Sequence, residues 1–216
     1  MHCFVMVVAR PDRLPRIHCR GGGLTARCTA PDTVHLLSAA ATPLGGDTID
    51  VRVVVERDAV LNLRSAAATL ALPGPDSPTS RARWEIEVAG SLDVDLEPTV
   101  VAAAARHLSS VNLRVHDDGR VRLRERVQIG RCDEGQGFWS GCLHADNDGR
   151  PLLRHRMELG AGSAADDVIS APRASINELR YPTTGLAPPA SSDDWTVLAL
   201  ARGGTLRTWQ GERLAG

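Results

Sequence analysis

The clearest alternation of hydrophobic and polar residues lies between positions 111 and 129. Two runs there place an apolar side chain at every second position, and the turn residues 117–119 separate them. A period of two predicts strands with one apolar face. A two-residue loop would set Val115 opposite Arg122, whereas a three-residue loop sets Val115 opposite Val121. We therefore predict a β-hairpin with the longer loop.

In this hairpin Glu125 points to the apolar side, opposite Val111. A carboxylate is costly to bury among apolar side chains unless it is paired or protonated. One interpretation is that the strand is an edge and Glu125 is an inward charge that opposes aggregation, or that a bulge turns Glu125 outward. The other interpretation is that Glu125 lines an internal polar site.

The opposite face of the two runs is rich in arginine. Its members are Arg114, Arg120, Arg122, Arg124 and Arg126. The hairpin stacks Arg114 against Arg122, and opposed like charges destabilise a sheet unless counter-charges lie nearby. Two acidic strand faces, in residues 84–88 and 92–97, precede the arginines and would balance them if the sheet brings them together. Arginine is common in interface hot spots, so these five residues are candidate partner contacts.

The rest of the chain reads as many short strands, at spacings of about eight to twelve residues. Helix is predicted only for a turn at 102–107 and a short segment at 205–214. A fold dominated by β-strands follows, with a sandwich, a barrel and an irregular β-helix all open. Residues 1–20 show little periodicity and predict a weakly ordered leader. Residues 21–216 are predicted to form a single β domain.

The composition of the chain argues against several classes of function. The net charge is -1 and the pI is about 6.7, so no global basic signal points to nucleic acid or a membrane surface. No stretch reaches the ~20 apolar residues of a membrane span. The five cysteines are odd in number and widely spaced, which favours a reducing cytoplasm over a disulfide framework. All 25 basic residues are arginine, which excludes lysine-dependent chemistry within this chain.

Candidate reactive groups are sparse. The sequence contains no G-x-S-x-G elbow, so a hydrolase is unsupported. It also lacks C-x-x-C and H-x-x-x-H spacing for a structural zinc site. Cys142 and His144 share one strand face and form a weak candidate pair for a borderline metal, against the simpler interpretation of a buried thiol and a surface imidazole. We expect a protein that is not an enzyme.

Several stretches resemble the UreD (UreH) family of urease accessory proteins, in the family's order. They are Gly22-Gly23-Leu24, Leu44-Gly45-Gly46-Asp47, Ser65-Ala66-Ala67-Ala68-Thr69, Glu97-Pro98-Thr99-Val100, Glu125 with Ile129-Gly130-Arg131, Gly141, and Asp148-Gly149-Arg150-Pro151-Leu152. Each motif alone is short, but the colinear set is fairly specific and spans residues 21 to about 160.

The resemblance implies a mostly β, helix-like stack of strands with a few short helices and no catalytic turnover. It implies a cytoplasmic scaffold that binds apo-urease and UreF, which recruits the GTPase UreG. It also implies that nickel passes through a polar internal channel and is not permanently bound. On this basis Glu125 and Asp47 are expected to line the channel, with Glu97 as a further candidate and Arg131 pairing with one of the carboxylates.

The residues alone also allow a second interpretation of the function. The chain could be a stand-alone β-rich module whose arginine face binds an acidic ligand such as a polysaccharide or a nucleic acid. The arginine face lacks the aromatic interleaving of a nucleic-acid stacking platform, so we expect no nucleic-acid partner in the scaffold role.

Overall fold

The computed structural model describes residues 1–131, 134, 137–164, 166, 171–183 and 195–214. In chain order the strands are β1 (His2–Ala9), β2 (Arg16–Arg20), β3 (Leu24–Ala30), β4 (Thr33–Ser38), β5 (Thr48–Val55), β6 (Val60–Ser65), β7 (Thr69–Ala71), β8 (Thr79–Val88), β9 (Ser91–Asp95), β10 (Thr99–Val101), β11 (Arg106–Val115), β12 (Arg120–Ile129), β13 (Phe138–Asn147), β14 (Arg150–Gly160), β15 (Ala174–Tyr181), β16 (Thr196–Ala199) and β17 (Thr205–Gly211). No helix occurs within these ranges, so none there has the length and hydropathy of a membrane span.

The strands form two sheets. The first sheet has the order β14-β13-β11-β8-β5-β1-β2, and the second has the order β16-β17-β15-β12-β9-β6-β4-β3. A short row, β7 and β10, joins the second sheet through parallel pairing of β10 with β12. The inward faces of both sheets contribute to one buried apolar cluster.

The chain alternates between the sheets. From β5 onward it visits the first sheet at β5, β8, β11 and β13, and the second sheet at β6, β9 and β12. Neighbours in each of these series pair in parallel. Parallel neighbours require a crossover, and here the crossover is a strand of the opposite sheet. The prediction of a β-helix-like stack is therefore confirmed.

The predicted hairpin is wrong. The two strands exist, but β11 pairs with β8 and β13 in the first sheet, while β12 pairs with β9, β10 and β15 in the second. Val115 and Val121 are both buried in the shared core, to which the two sheets contribute. Alternation reveals which face of a strand is apolar, but it does not distinguish a neighbour within the sheet from one across the core.

Three further predictions need correction. The segment 102–107 is a turn leading into β11, and 205–214 contains strand β17, so neither is helical. The weakly ordered leader is also wrong, because β1 lies between β2 and β5 in the first sheet. Its alternate residues Cys3, Val5 and Val7 are fully buried. Pro11 and Pro15 lie between the end of β1 at Ala9 and the start of β2 at Arg16, so they interrupt neither strand.

The core is divided along β12. Val121 and Leu123 belong to the larger apolar cluster, and Val127 and Ile129 belong to a smaller one that also contains Trp139. Glu125 is the inward residue between the two clusters. It is not on an edge strand, because β12 has neighbours on both sides. The interpretation of Glu125 as an edge charge is therefore excluded.

Candidate functional site: the interior cavity at Glu125

A row of small inward side chains leaves space opposite Glu125. The registers of the parallel strands in the first sheet align Ile49, Ala82, Ser109 and Gly141. The three side chains after Ile49, at Ala82, Ser109 and Gly141, are all small. Gly141 is required by packing, because a Cβ there would lie 2.2 Å from the ring of Trp139. The row therefore opens a gap in an otherwise apolar interior.

Glu125 extends into this gap. Ser109 Oγ donates a hydrogen bond to Glu125 Oε1, with the atoms 3.3 Å apart. Burial raises the pKa of Glu125 to about 7, and the bond from Ser109 opposes that rise only in part. The side chain keeps some accessible surface because it faces a cavity. Burial therefore favours the protonated form of this carboxyl group at a higher pH than is usual for glutamate.

Two cavities meet at Glu125. The larger has a volume of about 120 Å³ and the smaller of about 10 Å³, and Glu125 lines both. The larger cavity has mostly apolar walls, and the polar and charged residues in its lining are Ser38, Thr42, Thr69, Glu97, Thr99, His107, Ser109, Arg124, Glu125 and Arg126. Ser38 and Glu97 are exposed, so this cavity reaches the surface beside them. The structure thus places the predicted residues Glu125 and Glu97 at one cavity.

Two histidines at the cavities were not singled out by sequence. His107 lines the larger cavity, and its Nδ1 lies 2.9 Å from Ser80 Oγ. His155 lines the smaller cavity together with Asn177. Burial lowers the pKa of His107 to about 4 and also lowers the pKa of His155. The sequence contained one signal for His107. It lies two residues before Ser109 on the same strand, and residues two apart on a strand face the same side.

Asp47 is buried at a different place. Its Oδ1 accepts a 2.6 Å contact from the amino group of Met1, and its Oδ2 accepts hydrogen bonds from Leu44 N–H and Thr42 Oγ1. Burial raises the pKa of Asp47, but these donors outweigh it and the net direction is downward. Thr42 lines the larger cavity, so Asp47 sits behind its wall. Its position in the structure is that of a capping carboxylate in the turn before β5.

Arg131 lies outside the cavity. Its guanidinium forms an ion pair with Glu134, three residues later. Hydrogen bonds from Arg131 hold the pKa of Glu134 well below its usual range. The structure therefore gives Arg131 a local partner. The sequence had predicted that Arg131 pairs with Glu125 or Asp47, and the structure does not bring Arg131 to either residue.

The arginines lie on the outer faces of the sheets, where acidic neighbours balance them. Arg114 belongs to the first sheet and lies 3.3 Å from Glu87. Arg122, Arg124 and Arg126 belong to the second sheet, where Asp95 lies within 3.0 to 3.6 Å of each. Arg120 is exposed on the same outer face. The predicted stacking of Arg114 on Arg122 is wrong, because the two residues lie in different sheets.

One acidic residue of this surface was not predicted from the sequence. Glu178 on β15 is 1% exposed, although it points to the outer face. Arg122, Arg124 and Arg180 cover it at N–O distances of 3.1, 2.8 and 2.5 Å. Burial raises the pKa of Glu178, and the three guanidinium groups outweigh that effect, so the pKa is lowered. Glu178 therefore holds Arg122 and Arg124 of β12 in place.

Cys142 and His144 are adjacent, as their spacing predicted. Cys142 Sγ lies 3.2 Å from His144 Nε2 on the outer face of the first sheet. Across the described ranges, no three side chains of His, Cys, Asp and Glu converge as a metal-binding group. The pair thus supplies two donors at the surface.

Sequence comparison relates the chain to one family. The profile of the family described as UreD urease accessory protein matches residues 16–180. A urease accessory protein UreD of Saccharopolyspora erythraea is 34% identical over 190 residues, which cover 86% of this chain and 74% of the relative. The UreD protein of Frankia alni is 44% identical over 146 residues, covering 59% of this chain and 49% of the relative. That of a Parafrankia species is 34% identical over 201 residues, covering 80% and 68%.

Proposed function

This chain belongs to the UreD family of urease accessory proteins, and from that premise we propose that it is a cytoplasmic scaffold for urease maturation. In this role it binds apo-urease and UreF, with the GTPase UreG recruited through UreF, and helps deliver nickel to the urease active site. The family description is that of an accessory protein, not of an enzyme.

The observation that carries the proposal is the position of Glu125. Its carboxyl group stands between two cavities in the interior of the protein, and the larger cavity opens beside Glu97. A buried carboxyl group in an apolar interior costs stability. Such a cost is typical of a site that serves a function, and a polar passage between the sheets accounts for it.

The chemistry of the cavity suits a cation in transit. Oxygen and imidazole nitrogen donors bind borderline divalent metals, whereas a closed cage of thiolates and imidazoles would hold the metal tightly. Glu97 at the mouth and Glu125 in the interior offer single carboxylates in succession. Thr42 lines the larger cavity and donates a hydrogen bond to Asp47, so Asp47 borders this passage. Nickel is therefore proposed as cargo and not as a resident cofactor.

The outer arginines are proposed as a surface for partners. On the second sheet, Arg122, Arg124 and Arg126 are held by Asp93, Asp95 and Glu178, so their guanidinium groups are ordered before a partner arrives. Ordered arginines lose little conformational entropy on binding. Arg120 adds an exposed arginine to this outer face, whereas Arg114 lies on the outer face of the first sheet beside Glu85 and Glu87.

Co-purification tests the scaffold role. The tagged chain would be expressed alone, with UreF, and with UreF and the urease subunits together. A stable complex whose yield of soluble protein rises with UreF is expected. A monomer that ignores both partners would contradict the scaffold role and favour the stand-alone module for an acidic ligand.

Glu125→Ala tests the nickel path in cells that mature urease. The variant is expected to co-purify with its partners but to leave urease largely without nickel, measured as metal content and activity of the purified urease. Glu56→Ala is the matched control, since the half-buried Glu56 pairs with Arg10 and does not line the cavity. Normal urease maturation with Glu125→Ala would remove Glu125 from the path.

A further inference from the structure

His107 has the surroundings of a metal-binding histidine. It is 4% exposed, and its partner Ser80, on the neighbouring strand β8, is 1% exposed. The Ser80 hydroxyl also lies 3.5 Å from the carbonyl oxygen of Arg106, to which it donates. In the tautomer of His107 that carries its proton on Nδ1, the hydroxyl oxygen accepts from Nδ1–H while Ser80 donates to Arg106. An oxygen that holds one ring nitrogen in this way leaves the lone pair of the other nitrogen, Nε2, free to bind a cation.

His155 occupies a corresponding position at the smaller cavity. It lies on β14 and faces inward, because it pairs in register with the buried Leu143 of β13. Asn177, which is the neighbour of Glu125 across β12 and β15, lines the same cavity. Each cavity that touches Glu125 is thus lined by one inward imidazole.

The spacing along β11 relates His107 to Glu125. Ser109, which binds Glu125, is the next inward residue after His107, and a strand rises about 3.3 Å per residue, so the two Cα atoms are about 7 Å apart. The His107 imidazole and the Ser109 hydroxyl that holds Glu125 therefore project from adjacent inward positions of β11 into the same cavity.

We propose that His107 and His155 supply nitrogen ligands on either side of Glu125, so that a borderline divalent cation moves between imidazole and carboxylate donors as it crosses the interior. This inference rests on the nickel path proposed above and adds its donor set and selectivity. Magnesium and calcium prefer oxygen donors alone, whereas nickel and zinc bind imidazole well. The two histidines therefore select against the abundant hard cations.

Binding of nickel(II) alone to the purified chain, or to its complex with UreF if the chain is insoluble, tests the donor set. All proteins carry Cys142→Ser and His144→Gln, which remove the thiol–imidazole pair at the surface. In this background His107→Gln, His155→Gln and their combination are compared with His35→Gln, whose imidazole lies on the surface beside Thr29. Affinity is measured by equilibrium dialysis, and imidazole ligation by X-ray absorption at the nickel edge.

Each single variant is expected to weaken nickel binding about tenfold. The double variant is expected to lose the imidazole scattering, while His35→Gln and the magnesium affinity stay unchanged. Glutamine at 107 keeps a polar contact for Ser80, and urea unfolding verifies that each variant is folded. Unchanged nickel affinity in the double variant, or a parent spectrum without imidazole scattering, overturns the inference.

The urease maturation assay separates this inference from the function on which it rests. If the double variant loses imidazole ligation yet matures urease normally, the histidine ligands stand and the proposed path fails. If Glu125→Ala blocks maturation while the double histidine variant binds nickel as before, the path stands and the histidine ligands fail.

Discussion

Ser109 Oγ donates to Glu125 Oε1 across the gap between the two sheets, at 3.3 Å. The bond joins β11 to β12, which follow one another along the chain but belong to different sheets. Because Ser109 contributes one hydrogen bond to a carboxyl group in apolar surroundings, it compensates only part of the cost of burial. The interior of this protein therefore keeps a destabilising group at its centre.

Replacing Glu125 with glutamine should stabilise the protein above neutral pH. The folded pKa of about 7 lies above the ordinary value of 4.5, so the folded state binds more protons and its stability falls as pH rises from 4.5 through 7. Glu125→Gln removes that fall, which amounts to on the order of 2 kcal/mol at about 1.4 kcal/mol per pH unit, allowing for the cavity. Urea unfolding of both proteins at pH 5, 6, 7 and 8 measures the difference. Parallel curves would contradict the burial of an ionisable carboxyl group.

His107→Gln should have the opposite effect on the pH dependence. Burial lowers the folded pKa of His107 to about 4, from 6.5, so its contribution to stability is complete above pH 6.5 and is lost as pH falls toward 4. The variant should therefore resist acid better than the parent between pH 6.5 and 4. Chemical unfolding across this range tests it, with His35→Gln as the control. In the parent, the slopes of Glu125 and His107 partly cancel over pH 4.5 to 6.5.

The sequence predicts the strands and their inward residues well, because alternation depends only on which side chains are buried. It placed Glu125 on the apolar face and expected the acidic runs 84–88 and 92–97 to neutralise arginines, and both expectations are confirmed. It could not identify which strands are neighbours. Val115 and Val121 satisfy the same pattern as a cross-strand pair and as a contact across the core, and only the crossover geometry separates the two.

The site was predictable only in part for a related reason. Glu125 stands out because a charge among valines and leucines is unusual. His107, Ser80 and His155 are unremarkable in sequence, since a polar residue at an inward strand position acquires meaning only when the opposite sheet leaves space beside it. Ala82 and Ser109 leave that space from two strands far apart in the chain, so no local window could reveal the cavity.

Glu178→Gln should destabilise the protein strongly. The carboxylate is buried beneath Arg122, Arg124 and Arg180, and its removal takes a shared partner from all three, although Arg122 and Arg124 keep their contacts with Asp95. Loss of a charged hydrogen-bond partner at a buried position costs about 1–3 kcal/mol. Urea unfolding at pH 7 measures this loss. Glu158→Gln, which alters a more exposed ion pair with Arg156, should cost less than 1 kcal/mol.

Gly141→Ala should disturb the smaller apolar cluster. A Cβ at 141 would lie 2.2 and 2.3 Å from ring atoms of Trp139, which is 1% exposed. The indole must move, and overpacking of this kind costs about 1–3 kcal/mol. Lower unfolding stability and a red-shifted tryptophan emission are expected. Ser140→Ala, at the outward position between Trp139 and Gly141, should change neither the unfolding stability nor the tryptophan emission.

Filling the cavity should separate its role in transport from the scaffold role. Ala82 faces inward beside Ser109 and lines the larger cavity, so Ala82→Leu places three additional carbon atoms in a space of about 120 Å³. Filling a cavity typically leaves stability unchanged or raises it by about 0.5–2 kcal/mol. The variant should therefore fold and co-purify with UreF and urease, while the urease matured with it contains less nickel. Ala30→Leu, which adds the same three carbon atoms at an exposed position of β3, is the matched control for added apolar volume. If Ala82→Leu matures urease as well as the parent does, nickel does not travel through this cavity, and the scaffold role must then rest on partner binding alone.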